Sequence, residues 1–222
     1  MCGRFTLMLD AEELKFEFGL QEIPVEYRPR YNVAPGQPLA VVTNWTSRQM
    51  EWMRWGLVPS WAKDPAIGNK MINARSETVQ EKPSFRTAFS RRRCLILADG
   101  FYEWERALGK GQSTPFYFYL QDHKPFAFAG LWELWRSPGG EDLSSCAILT
   151  TAANNLVASV HDRMPVILQG AALTTWMEPG TSASWQALLQ PYPADKMGAH
   201  SVSKMVNSSS MDRSEMVLSV DG

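Results

Sequence analysis

The second residue of the chain is a cysteine, and removal of Met1 would give it a free α-amine beside its thiol. Only an N-terminal cysteine presents this 1,2-aminothiol. Reference pKa values of about 7.7–8.0 for the amine and about 8.5 for the thiol leave part of each group nucleophilic at neutral pH. The amine can condense with an aldehyde to an imine, and the thiol can then close a thiazolidine ring. The alternative is that Cys2 belongs to a frayed terminus.

Three further side chains have the chemistry to assist such a condensation, and each lies near the end of a predicted strand. A carboxylic acid such as Glu103 can protonate the carbinolamine oxygen, which leaves as water. His161 is suited to assist ring closure and its reversal because histidine titrates near pH 7. The amide of Asn73 can hold an amine or a sugar oxygen without titrating. Each residue also has an ordinary structural interpretation: Glu103 could be a solvated carboxylate, His161 a surface imidazole, and Asn73 an amide that bonds a neighbouring backbone group.

Aromatic and cationic residues indicate a surface for single-stranded nucleic acid. Trp61 follows Pro59 in the segment 55–61 and is expected to be exposed, where stacking is worth about 1–3 kcal/mol per base. The arginines concentrate at positions 28–30, 75–86 and 91–93. Because the net charge is only −1, phosphate contacts would need a local patch. The run 91–93 could equally be a solvated helix end.

Composition limits the classes of protein that fit. A chain of 222 residues with 45% hydrophobic residues can form one large domain. No apolar run approaches the ~18 residues of a membrane span, and no signal peptide precedes the structured part. The three cysteines, Cys2, Cys94 and Cys146, show neither paired nor metal-binding spacing, so no disulfide framework, metal or other cofactor is expected. These features predict a soluble cytoplasmic protein.

The elements that would position these residues form an irregular series of short strands and helices. A helix is predicted after a possible Asp10 cap. A buried strand is predicted to run without interruption over 94–105, and a hairpin to join strands 116–121 and 125–132. Further strands are predicted at 39–43, 49–58, 145–151, 166–169 and 201–206, and helices at 84–93, 171–177 and 184–189. This order lacks the βαβ alternation of a parallel sheet. We therefore predict an α+β domain with a mainly antiparallel, barrel-like sheet and surrounding helices.

Seven ordered motifs resemble the SRAP family, the SOS-response-associated peptidases or abasic-site-processing proteins. They are MCGRF at the start, RYNVAPGQ at 30–37, WGLVPSW at 55–61, INARSET at 72–78, CLILADGFYEW at 94–104, HDRMPVIL at 161–168 and VSKMVN at 202–207. The resemblance covers residues 1–207 of one domain spanning 1–222. The tail 208–222 receives no role.

The resemblance implies that the protein binds single-stranded DNA at an abasic site and cross-links Cys2 to the sugar aldehyde. It assigns Asn73, Glu103 and His161 to the catalytic site, with Glu103 as acid/base for imine formation and His161 assisting release. The positions it relates to DNA contacts are Arg4, Asn32, Pro35, Trp61, Arg75, Ser76, Arg86 and Arg163. It further implies loss of Met1 by self-processing, although an aminopeptidase could remove it, and a monomer without membrane attachment is expected. One departure is Ala62, where some members place a second aromatic residue.

Three other functions remain open from the residues alone. N-terminal-nucleophile glutamine amidotransferases also begin Met-Cys-Gly, but they usually continue with a small aliphatic pair rather than Arg4-Phe5. A non-catalytic module could bind single strands reversibly through the same loops. A cysteine protease could pair Cys94 or Cys146 with His161, although Cys94 opens an apolar strand typical of a core.

Overall fold

The chain forms thirteen strands, four α-helices and five short 3-10 helices within residues 2–105 and 113–220, which a computed structural model describes. Met1, whose removal is predicted above, lies outside the described residues. The strands are β1 (Arg4–Leu7), β2 (Arg30–Val33), β3 (Pro38–Val42), β4 (Glu51–Trp55), β5 (Asn73–Arg75), β6 (Arg93–Ala98), β7 (Gly100–Glu105), β8 (Thr114–Leu120), β9 (Phe126–Arg136), β10 (Asp142–Ala152), β11 (Arg163–Pro165), β12 (Ile167–Leu168) and β13 (Met197–Ser201). The α-helices are α1 (Ala11–Phe18), α2 (Arg86–Arg91), α3 (Ala171–Met177) and α4 (Ser182–Gln186). The 3-10 helices are Pro65–Lys70, Val157–Ser159, Ala194–Lys196, Lys204–Asn207 and Ser214–Val217.

Five strands close into a barrel in the order β10-β4-β3-β6-β9, because β9 also pairs with β10. The β4–β10 pair is parallel and the other pairs of the ring are antiparallel. The apolar run 94–98 of β6 is buried on both faces, as a strand between the barrel interior and an outer helical layer requires. On that outer side, the Trp176 indole of α3 donates to the carbonyl of Cys94 at 3.0 Å.

A second sheet packs against the barrel in the order β13-β8-β7-β1-β2 and is antiparallel throughout. Its side chains alternate between two faces. Phe5, Phe101 and Phe118 face the barrel, where Phe5 meets Phe128 edge-on with ring centroids 5.4 Å apart. Tyr102 and its neighbours lie on the outer face. The predicted α+β fold with a mainly antiparallel, barrel-like sheet is therefore confirmed.

The predicted uninterrupted strand over 94–105 is wrong, because β6 belongs to the barrel and β7 to the second sheet. Asp99 lies buried between them. Its carboxylate accepts hydrogen bonds from the Thr6 hydroxyl and the Met8 N–H, and its own N–H donates to the Thr6 carbonyl at 3.0 Å. These bonds tie the turn to β1, and the chain passes from one sheet to the other at this residue.

The predicted hairpin of strands 116–121 and 125–132 is also wrong. β8 pairs with β7 and β13, whereas β9 pairs with β6, β10 and β12. The predicted strand at 201–206 lies earlier, at Met197–Ser201, and Lys204–Asn207 forms a 3-10 helix. The helix predicted over 171–177 is confirmed.

The Asp10 cap of α1 is confirmed as a reciprocal capping box. The Asp10 carboxylate accepts from the N–H groups of Glu12 and Glu13, both at 2.9 Å, and the Glu13 carboxylate accepts from the Asp10 N–H at 2.8 Å. Gly19 ends the helix with a φ of 62°, the left-handed conformation that glycine adopts without strain.

We expect Asp10→Ala to lower the free energy of unfolding by about 1 kcal/mol, because two helix N–H groups lose their acceptor. Urea unfolding measures the change. Glu17→Ala, a substitution near the other end of the same helix, serves as the control. Equal stability of Asp10→Ala and the parent protein would contradict this role of the cap.

Candidate active site

Cys2 lies fully buried just before β1, in the apolar cluster between the second sheet and the barrel. Its carbonyl accepts a hydrogen bond from Asn73 Nδ2 at 2.8 Å, and its thiol donates to the Arg4 carbonyl at 3.8 Å. Burial raises the pKa of the Cys2 thiol far above its usual range, and the negative charge of Glu103 raises it further. In this state the sulfur is a protonated thiol, and a proton acceptor is needed to make it a nucleophile.

Asn73 opens β5, a short strand that pairs in parallel with β10. While its Nδ2 holds Cys2, its Oδ1 is buried and has no hydrogen-bond partner among the described residues. An acceptor buried in this way costs about 1–3 kcal/mol. The free oxygen lies on the amide that binds Cys2, so it can accept a hydrogen bond from a donor that arrives beside the N-terminal residue.

Glu103 is buried on the β7 face that also carries Phe101, which turns it toward the barrel. Burial raises the pKa of Glu103 to about 7, and the charge of Asp162 contributes to the increase. The same carboxylate raises the pKa of the Cys2 thiol, so Glu103 lies within electrostatic range of both Cys2 and Asp162. A carboxyl group with this pKa can act as either acid or base near neutral pH.

His161 precedes β11. The next residue, Asp162, is the one whose charge adds to the effect of burial in raising the pKa of Glu103. Its Nδ1 accepts the backbone N–H of Arg163 at 3.0 Å, which places the proton of the neutral ring on Nε2. Nδ1 also lies 3.1 Å from an Asp162 carboxylate oxygen. The two contacts exclude one another as hydrogen bonds, because Nδ1 cannot accept and donate together. The backbone N–H is the better-fixed partner, since the Asp162 side chain is 82% exposed.

Arg163 is held by an ion pair that the sequence did not indicate. Its guanidinium contacts the two carboxylate oxygens of Glu77 at 2.5 and 3.0 Å and donates to the Thr150 carbonyl at 2.7 Å. These bonds lower the pKa of Glu77. Glu77 lies in the INARSET segment, but one carboxylate among many on the chain gives no signal of its partner. The pair links the segment after β5 to the start of β11, the strand that His161 precedes.

Arg4 and Asn32, both predicted DNA contacts, bind the C-terminal part of the chain. Arg4 donates to Asn32 Oδ1 at 2.8 Å, to the Val206 carbonyl and to the Asn207 carbonyl at 3.3 Å. Asn32 is fully buried, and its amide donates to the carbonyls of Ser208 and Met211 at 2.9 and 2.8 Å. A contact of the Asn32 side chain with DNA would require this C-terminal segment to move.

Trp61 is 59% exposed on a loop whose backbone is tightly packed. A Cβ on Gly56 would lie 2.6 Å from the Gly68 carbonyl oxygen, so the two ends of the loop meet backbone to backbone. The Trp135 indole donates to the Ala62 carbonyl at 2.7 Å. Trp61 is therefore an exposed ring on a supported loop.

The remaining predicted contacts differ in exposure. Pro35, Arg75 and Arg86 are exposed, whereas Ser76 is buried beside β10 and donates its N–H to the Thr150 carbonyl at 2.9 Å. The structure thus brings Cys2, Asn73 and Glu103 together, with the His161 segment beside them.

Several other features of the described residues bear on the alternatives. Cys94 and Cys146 are fully buried in the barrel, where burial raises the pKa of both thiols. No cluster of histidine, cysteine, aspartate and glutamate within residues 2–105 and 113–220 could hold a metal ion. In the same part of the chain, no helix has the length and apolar character to cross a membrane.

Known proteins resemble the chain over nearly its whole length. It is 46% identical to the abasic site processing protein YoqW of Bacillus subtilis (strain 168), with 98% of this chain and 99% of that protein covered. It is 33% identical to the mouse (Mus musculus) abasic site processing protein HMCES. That match covers 100% of this chain and 76% of the mouse protein. A crystal structure of a Bacteroides thetaiotaomicron protein superposes with a TM-score of 0.90 at 26% identity, covering 99% of this chain and 100% of that one.

The family match agrees with these relatives. Residues 1–209 match the SOS response associated peptidases (SRAP), which leaves only the last thirteen residues outside the match. The chain belongs to the SRAP family.

Proposed function

We propose that this protein processes abasic sites in single-stranded DNA by forming a thiazolidine between Cys2, freed of Met1, and the sugar aldehyde. The relatives named as abasic site processing proteins support the substrate class. The observation that carries the chemistry is the hydrogen bond from Asn73 to the Cys2 carbonyl beside a buried carboxyl, Glu103, with a pKa of about 7.

The reaction begins with hydrolysis of the Met1–Cys2 peptide bond, which consumes one water and releases methionine. The freed amine of Cys2 adds to the aldehyde carbon and forms a carbinolamine. Glu103 protonates the carbinolamine oxygen, which leaves as water and gives an iminium. The Cys2 sulfur then bonds to the same carbon while its proton passes to a base, and the C=N electron pair returns to the nitrogen, which keeps its proton in the neutral thiazolidine.

The roles of the acid and the base follow from their surroundings. Glu103 is partly protonated at pH 7 because burial has raised its pKa, so one carboxyl can first donate and later accept a proton. His161 is assigned to the reversal, in which the thiazolidine sulfur is protonated as the carbon–sulfur bond opens and the nitrogen lone pair forms the iminium again. Because the Arg163 N–H donates to His161 Nδ1, Nε2 is the imidazole atom that exchanges a proton with the thiazolidine.

The DNA is bound through exposed residues around this site. Trp61 supplies a stacking surface, worth about 1–3 kcal/mol for each base. Arg75 and Arg86 supply charge for phosphates, and Pro35 lies exposed beside the turn after β2. Ser76 and Arg163 line the inner edge, where their hydrogen bonds to Thr150 hold β5 and β11 at either side of β10.

We expect Cys2→Ala to abolish a denaturant-resistant adduct with single-stranded DNA carrying one abasic site, because the α-amine of alanine can form only a hydrolysable imine and no sulfur is present to close the ring. A denaturing gel measures the adduct, and mass spectrometry verifies that Met1 is absent. Cys94→Ala, which removes a buried thiol outside the site, should retain it.

A persistent adduct in Cys2→Ala would contradict the thiazolidine. If the parent protein forms no adduct although Met1 is absent, reversible DNA binding or glutaminase activity becomes the better description, and retention of intact DNA and glutamine hydrolysis distinguish the two.

We expect Glu103→Gln to slow adduct formation by about 10²–10⁴-fold, because the amide cannot protonate the carbinolamine oxygen. In the parent protein the protonated fraction of Glu103 falls as the pH rises through about 7, so its acid-dependent step slows above that value. Single-turnover rates measured from about 1.5 pH units below to about 1.5 pH units above the pKa of Glu103 give both the rate loss in Glu103→Gln and the pH dependence of the parent protein. Glu105→Gln, an exposed position on the same strand, is the control. An unchanged rate and pH profile in Glu103→Gln would remove Glu103 from this role.

We expect His161→Ala to slow release of DNA from the purified adduct by about tenfold or more, with a much smaller effect on the final yield. Transfer to excess competitor aldehyde, followed on a denaturing gel, measures release. Asp162→Asn keeps the imidazole and removes only the exposed carboxylate, so it should release DNA faster than His161→Ala does. Release from His161→Ala at the parental rate would contradict the assignment.

A further inference from the structure

The outer face of the second sheet is covered by a segment near the end of the chain, which we call the C-terminal strap and define as residues 204–212. It begins with the 3-10 helix Lys204–Asn207, where Val206 is fully buried against the outer tyrosines. The polar residues that follow match the family only as far as position 209. The contacts of the whole strap reach three neighbouring strands, β7, β1 and β2.

Asp212 fastens the far end of the strap to the edge strand β2. Its carboxylate pairs with the Arg30 guanidinium and accepts the backbone N–H groups of Tyr31 at 2.6 Å and Asn32 at 3.1 Å. Two of these bonds satisfy backbone donors that an edge strand would otherwise expose. The carboxylate thereby acts as the partner that β2 lacks on this side.

Asn32 on β2 and Arg4 on β1 bind the middle of the strap from the sheet beneath it. The buried Asn32 amide binds two strap carbonyls, and Arg4 binds two more while also donating to Asn32 Oδ1. Arg4 is half-buried, and burial lowers its pKa, so these carbonyl and amide oxygens surround a partly desolvated cation. The arginine and the strap therefore hold one another in place.

The strap also bridges the two strands that carry the reacting groups. Arg4 is the first residue of β1, and its pair with Tyr102 ends the ladder with β7. Just beyond that pair, the Trp104 indole donates to Asn207 Oδ1 at 2.7 Å. The strap thus joins Arg4 to Trp104 at one end of the ladder. Cys2 lies two residues before Arg4, and Glu103 lies next to Trp104.

From these contacts we propose that the C-terminal strap is a positioning element for the N-terminal cysteine, acting through Arg4 and Trp104. The proposal rests on the function proposed above. Residues 2 and 3 precede β1, so the start of the strand needs an anchor outside the ladder to hold Cys2 against Glu103. Asn73 supplies one anchor from the barrel side, and the strap supplies the other from the outer face.

Release of the strap would let Cys2 leave its place beside Glu103. A misplacement of about 1 Å can cost as much as about a hundredfold in rate. DNA binding would be affected less, because Trp61 and Arg75 belong to the barrel and its neighbouring loop. The proposal therefore separates the rate of the chemical step from DNA affinity. A direct contact of Arg4 with DNA would instead change affinity when the strap is disturbed.

The test compares Asp212→Ala with Asp212→Asn and with Asp195→Ala. Asparagine retains a side-chain oxygen for the two β2 N–H groups and loses only the ion pair with Arg30, so it should restore most of the parental behaviour. Asp195 is an exposed aspartate outside the strap and serves as the control. Three quantities are measured: the single-turnover rate of adduct formation at saturating abasic DNA, the Kd for the same DNA in a Cys2→Ala background, and the alkylation rate of each cysteine by iodoacetamide without DNA.

We expect Asp212→Ala to slow adduct formation by about ten- to a hundredfold, with the Kd changed less than about twofold. Alkylation of Cys2 should become about tenfold faster, while Cys94 and Cys146, buried in the barrel, react as slowly as before. Faster alkylation of all three cysteines would mean general loss of stability and would overturn the proposal. A weaker Kd with an unchanged rate, or unchanged alkylation of Cys2, would overturn it as well.

The alkylation measurement does not depend on the proposed reaction. If the parent protein formed no adduct, the proposed function would fail, while the coupling of the strap to Cys2 would still be decided by the thiol rates. If the parent and Asp195→Ala both form the adduct and Asp212→Ala matches them, the function stands and the positioning role fails.

Discussion

The antiparallel pairing of β1 with β7 is the constraint on which the candidate site depends. Its register sets Arg4 opposite Tyr102 and Phe5 opposite Phe101, and it brings the N-terminal residues alongside Glu103. A shift of one residue would move every side chain of β1 to the other face of the sheet. Phe5 would then lose its contact with Phe128, and burial of one such ring is worth about 1.5–3 kcal/mol. The packing of an apolar ring thus fixes the position of a reactive thiol.

Burial determines the order in which the reacting groups can act. The Cys2 thiol is held protonated by its surroundings, whereas an α-amine has a reference pKa near 8. In the proposed reaction, attack by the amine therefore precedes attack by the sulfur, and the thiol gains a proton acceptor only after the aldehyde has entered. Glu103 is suited to that change because its pKa of about 7 lets it donate in the first step and accept in the second. A carboxyl in water would be ionised at the start and would have no proton to give.

The sequence indicates residues for a candidate site more readily than it indicates the path of the chain. Cys2 can be identified because its chemistry depends only on its position, and the Asp10 cap because its partners lie within one helical turn. The break at Asp99 could not be predicted, because the apolar pattern on either side is compatible with one long strand, and Thr6, which holds the turn, lies 93 positions away. The strap was missed for the same reason, since this polar segment is held by residues distant in the sequence, such as Asn32 and Arg4.

The arginines illustrate how little charge remains for DNA. Arg92 pairs with Glu133 at 2.6 Å, and Arg93 stacks over the Trp185 ring at 3.4 Å from its centroid, so two residues of the basic run belong to the fold. Arg163 is neutralised by Glu77. Each phosphate contact on a single strand contributes a slope of about −0.7 to the dependence of log affinity on log salt concentration, so a few contacts such as those of Arg75 and Arg86 give weak ionic binding. Under the proposed function, base stacking and the covalent bond would supply the remaining retention on DNA, so a nearly neutral protein could serve it.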